Sequence, residues 1–397
     1  MKKSLISLAA IAASGIAFAD VTVTGTLAMG YRAGSYLTVN GGATNGIAVG
    51  DPRTGNTLVS KMAAPGGVTS ADSSGFGVDT SEIVFGFSED LGGGTRIIGK
   101  MTIEGADRSA ANPASLWSGA TSPTLVPTAA GTVTGGDALL TLVGSMGAVT
   151  LATIRNPDYV TGAVGGTAQV GGVDMSGKVT LGRSIRDSVA YTVKVASDWT
   201  IQLSQAEASA LPGMAVPTSV GVPLGLGVGS SGAATAVNQR QTGLGITYVG
   251  GAWVVNGQYQ SSDNRTLTAD ASVADVYRLS GNYNFGVAKV GAAVEVDNSA
   301  AGGKLQMMNL VVAVPMGALK LSANVTSFQA SDLLNAIGPA ATRVLALQNG
   351  TKTGYGLAAE YALSKRTSLI ANYASWDQTI GAVSRNSESN LLLSHKF

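Results

Sequence analysis

Apolar and polar side chains alternate along the stretch Leu319-Lys320-Leu321-Ser322-Ala323-Asn324-Val325-Thr326. Successive side chains of an extended strand point to opposite faces, so this stretch predicts one apolar and one polar face. The same alternation recurs elsewhere in the chain, for example over 21–31, 96–104 and 253–260. The sequence therefore predicts a β protein whose strands separate an apolar environment from a polar one.

Sixteen segments of this kind are predicted along the chain. Their approximate bounds are 21–32, 80–88, 95–105, 137–145, 148–156, 186–196, 199–208, 240–249, 252–261, 275–285, 288–298, 304–314, 318–328, 352–363, 367–376 and 387–397. Most of them have about 9–11 residues, which is the length that a tilted strand needs to cross a bilayer. The segments are therefore predicted to be membrane-spanning strands.

The connections between these segments alternate in length. Short turns are predicted at 89–94, 145–147, 197–198, 250–251, 286–287, 315–317 and 364–366. Long loops are predicted at 33–79, 106–136, 157–185, 209–239, 262–274, 329–351 and 377–386, with 299–303 as a short exception. Short periplasmic turns and long external loops are typical of outer-membrane barrels. An even strand number lets the first and last strands pair, which removes sheet edges that lipid cannot hydrogen-bond.

Composition excludes several classes of protein. After residue 19 no apolar run reaches 18 residues, which excludes a helical membrane protein. The net charge of +1 and the 12% of charged residues give no reason to expect a nucleic-acid partner. With no cysteine and a single histidine, His395, the chain has few ways to build a metal site or a Ser-His-Asp relay. We therefore expect no cofactor and no enzymatic activity.

The first residues have the pattern of a secretory signal peptide. Lys2 and Lys3 precede an apolar run over 5–16, and Ala17-Phe18-Ala19 forms a small-x-small cleavage site. We expect residues 1–19 to be removed. Residues 20–397 are then expected to form one transmembrane β-barrel domain.

Aromatic residues on the apolar face are expected at strand ends, where the bilayer meets water. The predicted periplasmic ends carry Phe85, Phe87, Trp199, Tyr248, Trp253, Tyr283, Phe285, Tyr361 and Phe397. The predicted external ends carry Tyr31, Tyr259, Tyr277, Tyr355 and Tyr373. Tyr191 at mid-strand and Trp376 on the polar side do not fit. A barrel of this width leaves an aqueous channel, so the sequence predicts passive diffusion of small hydrophilic solutes and ions.

Four segments resemble the general porins of Gram-negative bacteria, especially those of betaproteobacteria. These segments are Ser88-Glu89-Asp90-Leu91-Gly92-Gly93-Gly94, Tyr283-Asn284-Phe285-Gly286, Tyr361-Ala362-Leu363-Ser364-Lys365-Arg366-Thr367 and Leu393-Ser394-His395-Lys396-Phe397. The resemblance implies a homotrimer in the cell outer membrane, in contact with outer-membrane lipid and lipopolysaccharide, whose third external loop folds into the pore. It also implies that Phe397 is a signal read by the barrel-assembly machinery.

The third loop, at about 157–185, departs from the family pattern. Its acids are Asp158 and Asp174, among Gly, Ala and Val residues. Thr153 stands where the family usually has arginine, and Arg155 two residues later shares the face of the outward apolar residues. Ala28 stands where the family often has aspartate. The constriction of this pore is therefore predicted to carry less charge than usual.

Inward positions predict seven bases and four acids on the strands. The bases are Arg96, Lys100, Arg186, Lys194, Arg278, Lys289 and Lys320, and the acids are Glu82, Glu104, Glu295 and Glu360. Because fixed charges in a pore set ion selectivity, this excess predicts a mild anion preference. Arg183 and Arg186 resemble the family's wall arginines. The candidate pore-lining residues are Arg96, Lys100, Glu104, Arg155, Asp158, Asp174, Arg183, Arg186, Arg278 and Lys320.

Two other functions remain open from the sequence. One is a substrate-selective channel of the same fold, for a particular organic anion or an apolar solute, which the weakly charged third loop suggests. The other is a non-conducting surface barrel or adhesin, whose long Thr-, Gly- and Ala-rich loops would bind a partner.

Overall fold

The computed structural model describes residues 20–39, 48–50, 57–59, 68–104, 134–155, 159–160, 170–176, 178–180, 185–208, 239–264, 273–299, 303–331, 350–377 and 385–397. The predicted signal peptide, residues 1–19, lies outside these ranges. Among the described residues, no helix is long and apolar enough to cross a membrane.

The described strands form one closed antiparallel barrel and one small separate sheet. In chain order they are β1 (Asp20–Val39), β2 (Ala48–Gly50), β3 (Thr57–Val59), β4 (Val68–Gly92), β5 (Thr95–Glu104), β6 (Thr134–Gly144), β7 (Gly147–Arg155), β8 (Ile185–Lys194), β9 (Trp199–Ala208), β10 (Gln239–Gly250), β11 (Trp253–Asn264), β12 (Val273–Asn284), β13 (Lys289–Ser299), β14 (Lys304–Met316), β15 (Leu319–Ser331), β16 (Gly350–Ala362), β17 (Thr367–Asp377) and β18 (Arg385–Lys396). Strands β2 and β3 pair only with each other. The other sixteen described strands form the barrel, with β1 next to β4 and β18.

Each of the sixteen predicted segments coincides with one barrel strand, which confirms the predicted fold class. Apart from β1 and β4, the strand ends lie within three residues of the predicted bounds. Strands β1 and β4 continue into the predicted first loop, where their pairing extends to Val39 and Val68. Beyond the bilayer a strand needs no apolar face, so the alternation that predicts membrane-spanning strands is absent from these extensions.

The barrel closes where the last residue meets the first strand. Strand β18 pairs with β1 from Thr26 opposite Lys396 to Ser35 opposite Ser387. One step further, Gly25 and Phe397 exchange two backbone hydrogen bonds, each 3.1 Å long. A Cβ atom on Gly25 would lie 2.9 Å from Cε1 of the Phe397 ring, so the glycine makes room for this terminal residue. The seam between the first and last strands is therefore fully paired at this end.

The outward face is apolar and carries aromatic pairs at both ends of the strands. We call the end with the short connections the short-turn end, and the other the loop end. At the short-turn end, ring centroids are 4.9 Å apart for Trp199–Tyr248 and 4.5 Å apart for Trp253–Tyr283. At the loop end, the corresponding distances are 5.1 Å for Tyr259–Tyr277 and 6.2 Å for Tyr355–Tyr373. This exposed apolar belt between two aromatic girdles suits a bilayer rather than water.

The two aromatic residues that did not fit the predicted girdles each have a structural explanation. The hydroxyl of Tyr191 donates a hydrogen bond to the carbonyl of Met146, which lies in the turn after β6. The mid-strand ring of Tyr191 therefore reaches the short-turn end. Trp376 points inward, as its position predicts, and is only 6% exposed.

Candidate functional site: the lumen and its loop

Part of the inner wall is apolar and buried. Leu305, Met307 and Val311 of β14 point inward and are 0%, 2% and 1% exposed. Their outward neighbours Met308 and Leu310 are apolar as well, so β14 is apolar on both faces. Apolar inward side chains of a water-filled barrel would be wetted unless another part of the chain covered them. Here a loop covers them.

The covering segment belongs to the connection between β7 and β8, which we call the third loop. Val160, Met175 and Val179 of this loop are 1%, 0% and 3% exposed. They form one apolar cluster with inward residues of β12 to β17, namely Val276, Ala293, Leu305, Met307, Phe328, Ala330, Ala374 and Trp376. A second cluster joins Val170 of the loop to Val311 and Ala313. The described part of the third loop therefore lies inside the barrel, against the wall formed by β12 to β17.

Inward amides and hydroxyls bind the backbone of the third loop. Asn324 accepts a hydrogen bond from the N–H of Val173 at 2.9 Å and donates one to its carbonyl at 3.1 Å. Ser322 accepts a hydrogen bond from the N–H of Gly172 at 2.9 Å. Asn309 donates one to the carbonyl of Val160 at 3.4 Å. Because buried backbone groups need partners, these side chains let an irregular loop pack against the wall.

Glycines on the wall allow the loop valines to come close. A Cβ atom on Gly356 would lie 2.5 Å from the Cβ of Val173. A Cβ atom on Gly354 would lie 2.5 Å from Cγ2 of Val179. Real Cβ atoms do not approach each other so closely. A larger residue at either glycine would therefore push the loop away from the wall, towards the axis of the barrel.

The beginning of the third loop is tied to a buried ion pair. Arg278 of β12 donates a hydrogen bond to Glu295 of β13 at 2.8 Å, and another to Gln260 at 2.8 Å. The ring of Tyr159 lies over the Arg278 guanidinium, with 4.1 Å between Cζ and the ring centroid. Burial, the largest effect, raises the pKa of the Tyr159 phenol, so the ring packs as an uncharged group. Arg186 donates to the side chain of Gln241 in the same region of the wall.

The later part of the loop is tied to the seam of the barrel. Lys178 lies 3.9 Å from Glu388 of β18, and its ammonium is 5.6 Å from the ring centroid of Trp376. Glu388 also lies 3.6 Å from Arg32 of β1, which pairs with Asp79 at 2.7 Å. Among the residues that the structure describes, two cations and two carboxylates thus form a network without net charge.

The wall across the lumen carries basic side chains. In the ring of sixteen described strands, β5 to β8 occupy the positions opposite β13 to β16. Arg96, Lys100 and Lys194 lie in the inward rows of β5 and β8. None of these three residues makes an ion pair within the part of the chain that the structure describes. On the loop itself, Asp174 is exposed between the wall-contacting Val173 and the buried Met175.

The structure places the predicted pore-lining residues in different environments. Six of them lie in inward rows, namely Arg96, Lys100, Glu104, Arg186, Arg278 and Lys320. Two of these six are in ion pairs: Arg278 lies 2.8 Å from Glu295, and Lys320 lies 2.9 Å from Glu360. Arg155 lies opposite Ile185, in the outward register of Val149 and Leu151, and its side chain is not among those described. Asp158 and Arg183 lie outside the described residues.

Several residues that hold the loop were not predicted from the sequence to line the pore. They are Arg32, Tyr159, Lys178, Asn324, Trp376 and Glu388. One signal was present, because the predicted strand 304–314 lacks clean alternation. A strand that is apolar on both faces predicts cover on both sides.

Comparisons with known proteins agree with this geometry. The family model described as Gram-negative porin matches residues 6–380. The fold is similar to that of the anion-selective porin from Comamonas acidovorans, with a TM-score of 0.57 and 14% identity over 96% of this chain and 100% of that chain. It is also similar to a triple mutant of the Rhodopseudomonas blastica porin, with a TM-score of 0.51 and 13% identity over 95% of this chain and 100% of that chain. No curated protein sequence matches the chain.

Proposed function

Because the chain belongs to the Gram-negative porin family, we propose that it forms a water-filled channel for the passive diffusion of small hydrophilic solutes and ions, with a mild preference for anions. The observation that carries this proposal is the lumen of the closed barrel. Sixteen strands enclose more space than wall side chains fill. The third loop packs against one wall, and Lys100, Leu139 and Ala152 on the opposite wall remain half-exposed.

The anion preference follows from which charges are paired. Arg278 and Lys320 lie beside Glu295 and Glu360, so these cations contribute little net charge. Arg96, Lys100 and Lys194 have no such partner among the described residues. Two inward acids, Glu82 and Glu104, lie opposite each other across β4 and β5, which keeps the preference small. The Comamonas acidovorans porin, whose fold is similar, is anion-selective.

The outward surface supports a location in the cell outer membrane. We propose that the protein is a homotrimer there, as its resemblance to the porin family implies. Its apolar belt between two aromatic girdles fits outer-membrane lipid, with lipopolysaccharide facing the loop end. Phe397 is exposed at the short-turn end and pairs with Gly25 through its backbone. That position suits a role as the signal read by the barrel-assembly machinery.

Planar-bilayer recording of the refolded protein tests the proposal. We expect conductance steps in groups of three, and a reversal potential in a KCl gradient whose sign favours chloride. The protein should also migrate as a heat-modifiable trimer on gels. A folded, heat-modifiable barrel without conductance would contradict the channel. A reversal potential that favours potassium would contradict the anion preference alone.

A further inference from the structure

The wall opposite the third loop carries an apolar surface that faces the lumen. We call this surface the lumen strip. It consists of Ile98 of β5, Leu139 and Val143 of β6, and Ala148, Ala152 and Ile154 of β7. All six residues lie in the inward rows of neighbouring strands. The strip therefore spans three neighbouring strands.

The lumen strip differs from the apolar wall beneath the third loop. Leu305 and Met307 on that wall are buried against the loop. The residues of the strip are only partly covered and remain half-exposed. An apolar surface that stays open inside a water-filled lumen has a hydration cost, and this cost falls whenever an apolar solute covers the surface.

Cations border the strip on both sides. Arg96 lies directly opposite Val143, and Lys100 directly opposite Leu139, so each cation is one strand spacing of about 4.8 Å from an apolar neighbour. On the other side, Thr192 of β8 lies opposite Ala148 of the strip. Lys194 is the next inward residue of β8 after Thr192. Long basic side chains can therefore reach over the strip while their charged ends remain in water.

The polar groups near the strip favour one orientation of a bound anion. Thr141 and Thr150 interrupt the strip, but their Oγ atoms are 2.9 Å apart and bond to each other. Towards the loop end, Glu104 lies opposite Glu82. Arg96 and Lys100 attract an anionic group, so their side of the strip is its favourable position.

We propose that the lumen strip is a transient binding site for organic anions with an apolar body, such as aromatic carboxylates. The inference rests on the proposed channel function and names a solute class for it. The apolar body covers the strip, while the carboxylate lies near Arg96 and Lys100. Binding that is weak and reversible would raise the local concentration of such solutes without blocking the channel, as permeation requires.

Blocking of single-channel current tests the site. Benzoate and acetate carry the same charge, but only benzoate has a body large enough to cover the strip. Covering about 60 Å² of apolar surface predicts that benzoate half-blocks the current at about a tenth of the acetate concentration. In the double variant Leu139→Asn with Val143→Thr, we expect benzoate binding to weaken about fivefold.

A matched control separates the strip from general effects of polarity. Val254 on β11 points inward beside a short turn, as Val143 does, but lies away from the strip. Val254→Thr should therefore leave benzoate block unchanged. Lys100→Gln should weaken benzoate and acetate alike, because both lose the same charge contact. Each variant is first checked for heat-modifiable migration, which shows that the barrel is folded.

Two results would overturn the inference in distinguishable ways. Equal block by benzoate and acetate, in channels of normal conductance, would contradict the binding site and leave the channel function intact. Equal loss of benzoate block in the double variant and in Val254→Thr would also contradict the site. The absence of any conductance would contradict both the channel and the site.

Discussion

The side-chain amide of Asn324 binds both backbone groups of Val173, accepting from its N–H at 2.9 Å and donating to its carbonyl at 3.1 Å. Asn324 belongs to barrel strand β15, whereas Val173 belongs to the third loop. The amide thus provides the partner that a neighbouring strand would otherwise give to this backbone. The position of the loop in the lumen depends on this contact and on the apolar packing around it.

Asn324→Ala is expected to loosen the third loop. The variant loses two hydrogen bonds to the loop at a site that is 3% exposed, and each is worth about 0.5–1.5 kcal/mol. We expect noisier single-channel current, because the loop moves more in the lumen. Asn256→Ala is the control, since Asn256 is equally buried but bonds to Thr247 on the neighbouring strand. Equal current noise in the two variants would contradict a specific role of Asn324.

Gly356→Ala is expected to displace the loop by steric contact. The new Cβ atom would lie 2.5 Å from the Cβ of Val173. We expect the single-channel conductance to change. Gly257→Ala is the matched control, because a Cβ atom there meets nothing within 4 Å. If Gly356→Ala conducts like the control, the loop does not rest on this glycine.

Lys100→Glu is expected to move ion selectivity towards cations. Lys100 faces the lumen and has no ion-pair partner among the described residues. Exchanging its charge reverses the local potential, so the anion-to-cation permeability ratio should fall severalfold. The reversal potential in a KCl gradient measures this ratio. Lys365→Glu makes the same change in the exposed turn between β16 and β17 and should have a much smaller effect.

Phe397→Ala is expected to impair assembly in cells more than refolding with detergent or lipid. The variant keeps the backbone bonds to Gly25 and loses only a ring that is 45% exposed on the outward face. The fraction of heat-modifiable protein measures both processes. Leu393→Ala removes a similarly exposed outward side chain of the same strand and is the control. If both variants assemble equally well in cells, Phe397 carries no special signal.

The strands and their orientation could be predicted from the sequence because local physics determines them. Alternation requires only that one face meets lipid and the other water, as in Leu319 to Thr326. This rule also placed Trp376 on the inward side, where it lies near Lys178. The Gly-rich turns mark the strand ends because several of them need positive φ angles, as at Gly286 and Gly317.

The contacts of the third loop could not be predicted in the same way. Asn324 and Val173 are separated by 151 residues. In the sequence, Asn324 is a polar residue at an inward position of an alternating strand, like any wall residue that faces water. The charge pairs posed a similar problem, because inward parity identifies Arg278 and Glu295 as lumen residues but does not reveal that the loop buries them. Only the loop's path decides which wall is covered and which faces the solutes.

Single-cysteine labelling tests whether β6 lines an aqueous, conducting lumen, because the chain has no cysteine of its own. Thr141 and Leu142 are neighbours on β6, with Thr141 facing the lumen and Leu142 exposed on the outward face at 46%. A charged, water-soluble thiol reagent should react with Thr141→Cys in lipid bilayers and reduce the single-channel current. It should leave Leu142→Cys unlabelled and its current unchanged. Equal labelling of both positions, or labelling of Thr141→Cys without any loss of current, would contradict an aqueous conducting lumen lined by this wall.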